Sequence, residues 1–422
     1  MIRRLILALT VLAASAWAGA AAAHLTPNSE IGLDMGRSMV AAEVVVPMGE
    51  IGYALGRPTP APGPDRERSL IFLRQYLLTH MAVRSPDGRP WSIAVKGVAI
   101  SDDAAPDFKA RLLLRPPPGA SPRRFDLTYS MVIDRVPNHF VLVLQRTDFD
   151  GGRLSDRPRM IGGLQGPVRT LRVDPGPGNA WRGFAAAVGL GMRHIAEGHD
   201  HLLFLMTLML PAPLVAIGGR WAGYGGLRHT ARRLTGVVSA FTVGHSITLL
   251  GGAFLGWQLR TQPVEVAIAV SILVSSVHAW RPLFAGREPW VAGGFGLIHG
   301  LAFATLIGRF GLEPLQKAQS ILGFNVGIEL VQLAVVAAVI PALILLAQTR
   351  DYPSWRTAGA LFTGVAAVAW IVERVGGAEN AIGRLIDQGL TYSPWLLALL
   401  TLAAVLTTLA ERRRKAAAAA PS

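Results

Sequence analysis

The sequence predicts a polytopic α-helical membrane bundle of about seven transmembrane helices, preceded by an exported, mainly-β, sandwich-like domain. Two observations predict this fold class. Of the 422 residues, 51% are hydrophobic and only 16% are charged, whereas in soluble proteins roughly a quarter of the residues are charged. The apolar residues also concentrate in the second half of the chain, in segments long enough to span a bilayer. This composition argues against a water-soluble enzyme.

The N-terminus predicts a signal peptide over residues 1–23. Arg3 and Arg4 precede a short apolar core, and small residues then form a cleavage zone that ends before His24. The apolar core is too short to span a bilayer comfortably. We therefore expect residues 24–178 to be exported to the periplasm.

Residues 24–178 show short stretches of alternating apolar and polar residues, separated by clusters of proline and glycine. This pattern is typical of a β-sandwich, here interrupted by one helical stretch at 69–81. His80 and His139 have no partners at metal-ligand spacing in the sequence, so we expect both to be structural. The segment DPGPG at 174–178 predicts a linker.

The predicted membrane domain covers residues 179–411, and a basic, alanine-rich cytoplasmic tail follows at 412–422. Its seven apolar segments of spanning length lie at 184–210, 234–256, 264–284, 290–308, 319–347, 357–373 and 393–410. Glycines four residues apart inside these segments, at 252 and 256, 296 and 300, and 323 and 327, predict close helix packing.

The distribution of basic residues gives the topology. An exported N-terminal domain followed by seven spans places the C-terminus in the cytoplasm. The predicted cytoplasmic connections hold 12 lysines and arginines and the outer ones hold 5, as the positive-inside rule requires. We therefore expect a protein of the bacterial inner membrane, with the lipid bilayer as its surroundings. The net charge of +14 then reflects topology. The sequence contains no stripe of basic residues interleaved with aromatic ones, so it does not indicate binding to nucleic acid.

Ionisable side chains inside the predicted spans are the candidate functional residues, because they are costly in a membrane and mark ion pathways. At 100° per residue, the first span places His194, Glu197 and His201 on one face of a helix. Asp200 lies on the same side and His199 points away. Further candidates come from the second to fifth spans, which carry in chain order His245 and Ser246, Glu265, His299, and a polar stripe of Asn325, Glu329 and Gln332.

These residues predict a site for a divalent transition metal. The expected metal ligands are His194, Glu197, Asp200, His201, His245, His299 and Glu329, and the expected supporting residues are Ser246, Asn325, Gln332 and Glu265. Imidazole and carboxylate groups suit Ni²⁺, Co²⁺ or Zn²⁺, as substrate or bound ion. The chain has no cysteine, which disfavours a soft Cu(I) site.

The same residues lie in motifs that resemble the HupE/UreJ family of bacterial membrane proteins. Five matching segments occur in order on five successive predicted spans: HIAEGHDHLLF at 194–204, FTVGHSITL at 241–249, VEVAIAVSI at 264–272, FGLIHGLAFA at 295–304 and FNVGIELVQ at 324–332. The segments YLLTHMAV at 76–83 and YSMVID at 129–134 resemble the exported domain of the longer branch of that family. The resemblance implies a permease-like role in nickel or related metal supply, carried by His194, Asp200, His201, His245, His299 and Glu329.

Three functions are compatible with the sequence. The first is a permease or supply protein for a divalent metal, whose exported domain captures metal or regulates its passage. The second is a non-enzymatic accessory membrane protein that binds a periplasmic protein partner through its exported domain. The third is an intramembrane metal-dependent hydrolase, which needs a closed three-ligand site with an open coordination position. We expect transport or an accessory role rather than catalysis.

Overall fold

The computed structural model describes residues 28–56, 64–257, 260–309, 312–378 and 380–419. The predicted signal peptide lies outside the described residues. The chain forms two compact units. The first contains most of the chain up to residue 175, and the second contains residues from 176 onwards together with the short segments 34–37 and 146–157.

The first unit is built on two β-sheets. A six-stranded sheet has the strand order β4-β5-β2-β1-β7-β8, and a three-stranded sheet has the order β3-β6-β9. The nine strands are β1 (Ser29–Met35), β2 (Val40–Pro47), β3 (Met81–Arg84), β4 (Ser92–Ile100), β5 (Asp107–Arg115), β6 (Phe125–Tyr129), β7 (Val141–Asp148), β8 (Arg153–Leu164) and β9 (Thr170–Val173). The pairs β2–β5, β4–β5, β3–β6 and β6–β9 are antiparallel.

Each sheet buries one face, because buried and more exposed residues alternate along its strands. The alternation is regular in β2 and in β6, as expected of strands that cover a core on one side only. Two helices complete the unit, α1 (Met48–Leu55) and α2 (Pro64–Thr79). The mainly-β prediction is confirmed, and the helix predicted at 69–81 exists but begins earlier.

From residue 176 onwards, the described part of the second unit is helical apart from one hairpin. Its helices are α3 (Ala180–Glu197), α4 (His199–Met209), α5 (Leu227–Leu255), α6 (Thr261–Trp280), α7 (Glu288–Arg309), α8 (Pro314–Ala347), α9 (Tyr352–Gly376), α10 (Ala381–Leu390) and α11 (Ser393–Ala419). The antiparallel hairpin consists of β10 (Leu214–Ile217) and β11 (Arg220–Tyr224). Gly218 and Gly219 join its strands with positive φ angles of 57° and 72°, which suit a tight hairpin turn.

Five helices in the described part of the chain are long and apolar enough to cross a membrane. They are α5, α6, α8, α9 and the segment Trp395–Ala416 of α11, which correspond to the second, third, fifth, sixth and seventh predicted spans. Their outer faces carry exposed large apolar side chains such as Val243, Leu330, Leu361 and Leu402. Such surfaces suit a lipid environment. The chain is therefore a membrane protein, and a total of seven spans stays a prediction.

The first predicted span is not one continuous helix. Helix α3 ends at Glu197, Gly198 has extended backbone angles (φ −81°, ψ 91°), and α4 begins at His199. The expectation that His194, Glu197 and His201 share one face of a single helix is therefore wrong. The fourth predicted span is helix α7, which is not among the five spanning helices.

Glycines bring two pairs of helices into backbone contact. A Cβ atom at Gly327 of α8 would lie 2.1 Å from the carbonyl oxygen of Val188 in α3. A Cβ at Gly296 of α7 would lie 2.2 Å from the carbonyl oxygen of Phe241 in α5. These two glycines let the helix backbones approach closely, as the sequence predicts. Gly256 does not, because it ends α5 with a positive φ of 68° and has no neighbour within 4 Å among the described residues.

The first prediction concerns this packing. Replacing Gly327 with Ala forces α3 and α8 apart, so the free energy of unfolding should fall by about 1–3 kcal/mol. The matched control is Gly189→Ala in α3, where an added Cβ meets nothing within 4 Å and helix propensity favours alanine by up to ~1 kcal/mol. Thermal unfolding in detergent compares the two variants. Equal melting temperatures would contradict the packing role of Gly327.

The second prediction concerns pH and the first unit. The His139 ring is buried between Ser29 Oγ, 2.7 Å from Nε2, and Glu50 Oε2, 3.1 Å from Nδ1. Burial lowers the pKa of His139 from its usual value, and the Glu50 carboxylate opposes this only in part. A lowered pKa in the folded state means that its stabilisation is complete above about pH 6.5 and is lost as the pH falls below that value.

The melting temperature of the first unit should therefore decrease between about pH 7.5 and pH 5 in the wild type. In His139→Gln the decrease should be smaller, since glutamine does not titrate. Circular dichroism in the β-sheet region during heating measures this transition. An identical pH profile in both proteins would show that His139 does not contribute to the dependence.

Candidate metal centre

Three histidines from three different helices meet inside the second unit. Each of His194 from α3, His201 from α4 and His245 from α5 offers a ring nitrogen, and these nitrogens lie within 4.8 Å of one another. His201 and His245 are buried. The Nε2 atoms of His194 and His201 and both ring nitrogens of His245 have no hydrogen-bond partner among the described residues. Buried polar atoms without partners are unusual in proteins, and here they converge on one point.

The tautomer of His201 is set by the residue before it. The Asp200 Oδ1 atom lies 2.8 Å from His201 Nδ1 and also accepts the His201 backbone N–H at 2.9 Å. Because a carboxylate only accepts, Nδ1 carries the hydrogen and Nε2 presents its lone pair to the cluster. A metal-binding imidazole usually donates its other ring N–H to a carboxylate in this way, which fixes the orientation of the ring.

A fourth histidine, His299 of α7, lies against this group. Its ring centre is 4.9 Å from that of His201. Its Nε2 atom is 3.0 Å from Ser271 Oγ, and Ser271 itself donates to the Ile268 carbonyl oxygen at 2.7 Å. The serine hydrogen is thus already used, so His299 donates from Nε2 and its Nδ1, which has no partner among the described residues, is free to bind a cation. We refer to His194, His201, His245 and His299 as the histidine cluster.

Phenylalanine rings surround the histidine cluster. Phe303 and Phe324 stack on each other with ring centres 4.2 Å apart, and His194 lies 4.6 Å from the first and 5.4 Å from the second. Phe204 and Phe241 each lie 5.2 Å from His299. Such a shell excludes water and lowers the local dielectric, which strengthens any bond between imidazole and a cation.

The carboxylates predicted as ligands lie elsewhere, apart from Asp200. Glu197 is exposed at the end of α3. Glu329 of α8 is half-buried and lines a separate cavity of about 330 Å³ with Leu234, Val238 and other mainly apolar residues. Glu265, a predicted supporting residue, is half-exposed and lies 3.7 Å from Arg374 Nε. The structure brings none of these three into the histidine cluster.

The remaining predicted residues lie on the helices that supply the cluster. Asn325 of α8 faces the His245 ring, and its Oδ1 atom is buried without a partner among the described residues. Gln332 is buried and accepts weakly from Thr242 Oγ1 at 3.4 Å. Ser246 donates to the Thr242 carbonyl oxygen within α5. His199 lies apart from the cluster, as predicted, and pairs with Asp387 at 3.1 Å.

Sequence reasoning missed Gly198 and the phenylalanine shell. A Cβ atom at Gly198 would lie 2.9 Å from His201 Nδ1 and 3.3 Å from Asp200 Oδ1, so only glycine leaves room for the hydrogen bond between them. The one signal in the sequence was a glycine inside an apolar helical segment, which lowers helix propensity and so could have marked a break. The phenylalanines resemble ordinary apolar membrane residues and give no signal in the sequence.

Residues 172–374 match a protein-family model described as HupE / UreJ protein. The match includes the whole histidine cluster, Asp200 and Gly198, and it confirms the resemblance that the five sequence motifs indicate. No curated protein and no solved structure matches the chain.

The third prediction tests the role of Asp200. Asp200→Asn removes the carboxylate that fixes the His201 tautomer, and loss of such a partner weakens metal affinity by roughly 10–100-fold. The matched control is Asp387→Asn, which removes the carboxylate from the neighbouring His199 outside the cluster. Isothermal titration of the purified protein with Ni²⁺ or Co²⁺ measures both affinities. An equal effect of the two substitutions would exclude a specific role for Asp200.

Proposed function

We propose that this chain, whose residues 172–374 match the HupE / UreJ family model, is a permease or supply protein for a divalent, nickel-like transition metal. The histidine cluster is where the metal binds within the membrane domain. One observation carries this proposal: His194, His201 and His245 each offer a ring nitrogen within 4.8 Å of those of the other two, and each ring has a buried nitrogen with no hydrogen-bond partner among the described residues. The metal is the substrate.

The donor atoms indicate which metals fit. The cluster offers only imidazole nitrogens, with a carboxylate behind one of them, and the chain contains no cysteine. Imidazole suits Ni²⁺, Co²⁺ and Zn²⁺, whereas Mg²⁺ and Ca²⁺ prefer oxygen ligands and Cu(I) prefers sulfur. The site therefore takes a borderline divalent ion in preference to the more abundant hard ones.

The spacing of the donors favours passage over permanent binding. Nitrogens bound to one tetrahedral metal at about 2.1 Å lie about 3.4 Å apart, and the separations in the cluster extend to 4.8 Å. A cluster that must contract around its ion holds that ion less tightly than a preformed cage. His299, whose ring contacts that of His201, supplies the next nitrogen donor. Conduction requires several such weak sites in sequence.

The polar residues of α8 continue the proposed path. Asn325 faces His245, while Gln332 and Glu329 lie further along the same helix. Glu329 is not a ligand of the cluster. It offers a separate carboxylate binding site for the passing ion in its own cavity. Glu197, at the exposed end of α3, and Glu265, paired with Arg374, are assigned to the approaches.

The proposed membrane arrangement completes this function. Seven spans, with α3–α4 and α7 added to the five long apolar helices, place the first unit in the periplasm after removal of residues 1–23. The C-terminus then lies in the cytoplasm of a bacterium, and the protein in its inner membrane. The excess of basic residues in the predicted cytoplasmic connections supports this orientation. The periplasmic unit, residues 24–178, captures metal or binds a protein partner that delivers it.

The fourth prediction tests transport. In cells that depend on the protein for metal, His201→Ala and His245→Ala should each reduce Ni²⁺ or Co²⁺ uptake by more than about tenfold, because a lost ligand weakens binding at least as much as a lost second-shell partner. His199→Ala is the matched control, since this neighbouring histidine pairs with Asp387 away from the cluster. Radiometal accumulation measures uptake, and immunoblotting of membranes corrects for the amount of protein.

Elemental analysis of the purified protein provides an independent measurement. After dialysis against buffer that contains a low concentration of Ni²⁺ or Co²⁺, the wild type should hold more metal than the buffer alone, and His201→Ala should lose this excess from the membrane domain. Unchanged accumulation in both cluster variants, at wild-type protein levels, would refute the proposed function.

A further inference from the structure

A second group of metal-ligating side chains lies in the first unit. His80 directly precedes β3 and Asp134 follows β6, and these strands pair with Met81 opposite Tyr129. The Ser130 backbone N–H donates to the His80 carbonyl oxygen at 2.8 Å and extends this pairing. As a result His80 Nε2 lies 3.2 Å from Asp134 Oδ2, although the two residues are 54 positions apart.

The hydrogen bonds of His80 define which nitrogen carries its hydrogen. Nδ1 lies 2.8 Å from the Tyr76 carbonyl oxygen, which only accepts, so Nδ1 is the donor. Thr79 Oγ1 also lies near Nδ1, but its hydroxyl donates to the Tyr76 carbonyl oxygen at 2.9 Å. In the neutral ring, Nε2 therefore presents a lone pair to a carboxylate oxygen. Two such groups at this distance are held together by a cation between them, which is either a proton or a metal.

The geometry suits a metal. Bonds of about 2.1 Å to both atoms, 3.2 Å apart, subtend about 100° at the metal, between the octahedral and tetrahedral values. The other oxygen of Asp134 accepts from the Tyr76 hydroxyl at 3.1 Å, and this hydrogen bond fixes the orientation of the carboxylate. Arg135 Nε is 3.7 Å from Oδ2, beyond hydrogen-bond length, and its side chain is 66% exposed.

Two further observations mark this place as more than a surface ion pair. The Tyr129 hydroxyl, on the strand residue opposite Met81, is fully buried without a hydrogen-bond partner among the described residues. Val132, two residues before Asp134, is the single non-glycine residue of the described chain with a positive φ, 70°. Such strain in a β-branched residue concentrates at functional sites.

We propose that His80 and Asp134 form a second divalent transition-metal site, in the extramembrane unit and distinct from the histidine cluster. Their side chains are 23% and 21% exposed, so solvent or a ligand from a partner completes the coordination. With two protein ligands the site is weak and exchanges its ion readily. It takes the same borderline metals, Ni²⁺, Co²⁺ or Zn²⁺, because it offers one imidazole and one carboxylate. It does not depend on the transport function proposed above.

The experiment counts bound Co²⁺ on the full-length protein in detergent, by titration followed through visible absorption and calorimetry. The wild type should bind a weak equivalent in addition to that of the histidine cluster. His80→Gln and Asp134→Asn should each lose the weak equivalent, and His201→Ala should keep it. His139→Gln is the matched control, because His139 also pairs with a carboxylate but is enclosed and bonded at both ring nitrogens. It should bind as the wild type does.

Tyr76→Phe keeps both ligands and removes only the hydroxyl that donates to Asp134. It therefore tests the site even if the variants that lack a ligand fail to fold. It should retain the stoichiometry with roughly 10–100-fold weaker binding at the weak site. The proposal is overturned if His201→Ala abolishes all Co²⁺ binding, or if folded His80→Gln binds Co²⁺ as the wild type does. If His201→Ala instead leaves every equivalent in place while His80→Gln loses one, the transport proposal fails and this one stands.

Discussion

The hydrogen bond between Asp200 and His201 is the interaction on which the candidate metal centre depends. It joins the carboxylate and the imidazole of two consecutive residues, and it needs the space beside them that a Cβ atom at position 198 would fill. The chain achieves it by leaving the helix at Gly198 and starting again at His199. Asp200 then lies in the first turn of α4, where the helix dipole favours a negative charge.

Backbone contact between helices fixes the other members of the cluster. A Cβ atom at Gly300, the residue after His299, would lie 2.5 Å from the His245 carbonyl oxygen. A Cβ at Gly191 of α3 would lie 2.0 Å from the carbonyl oxygen of Phe324 in α8. These contacts hold α5 against α7 and α3 against α8. The histidines therefore converge because their helix backbones touch, and the phenylalanines fill the space that remains.

The sequence predicts those parts of the site that follow from helix periodicity and apolar length. His245 and His299 lie in uninterrupted helices, so their depth and their inward orientation can be predicted. The prediction of one continuous helix fails at Gly198. His194 and His201 still meet across the break, but Glu197 is left exposed and apart from them. The position of Glu329 could not be predicted for a different reason. Its helix is continuous, but the packing of the bundle decides which neighbouring residues its face contacts.

Pairs of ligands that are far apart in sequence are beyond periodicity altogether. The contact between His80 and Asp134 arises from the register of β3 with β6, which no local pattern reveals.

Both proposed sites join an aspartate to a histidine, but in opposite senses. Asp200 bonds the nitrogen that points away from the cluster and orients the ligand, whereas Asp134 faces the nitrogen that would bind metal and so acts as a ligand itself. Burial adds to this difference, because His201 is buried among other histidines, while His80 and Asp134, which are 23% and 21% exposed, leave coordination positions open to solvent. A buried, all-nitrogen cluster and a partly exposed, two-ligand site would exchange an ion at different rates, as the proposed capture and passage of a metal require.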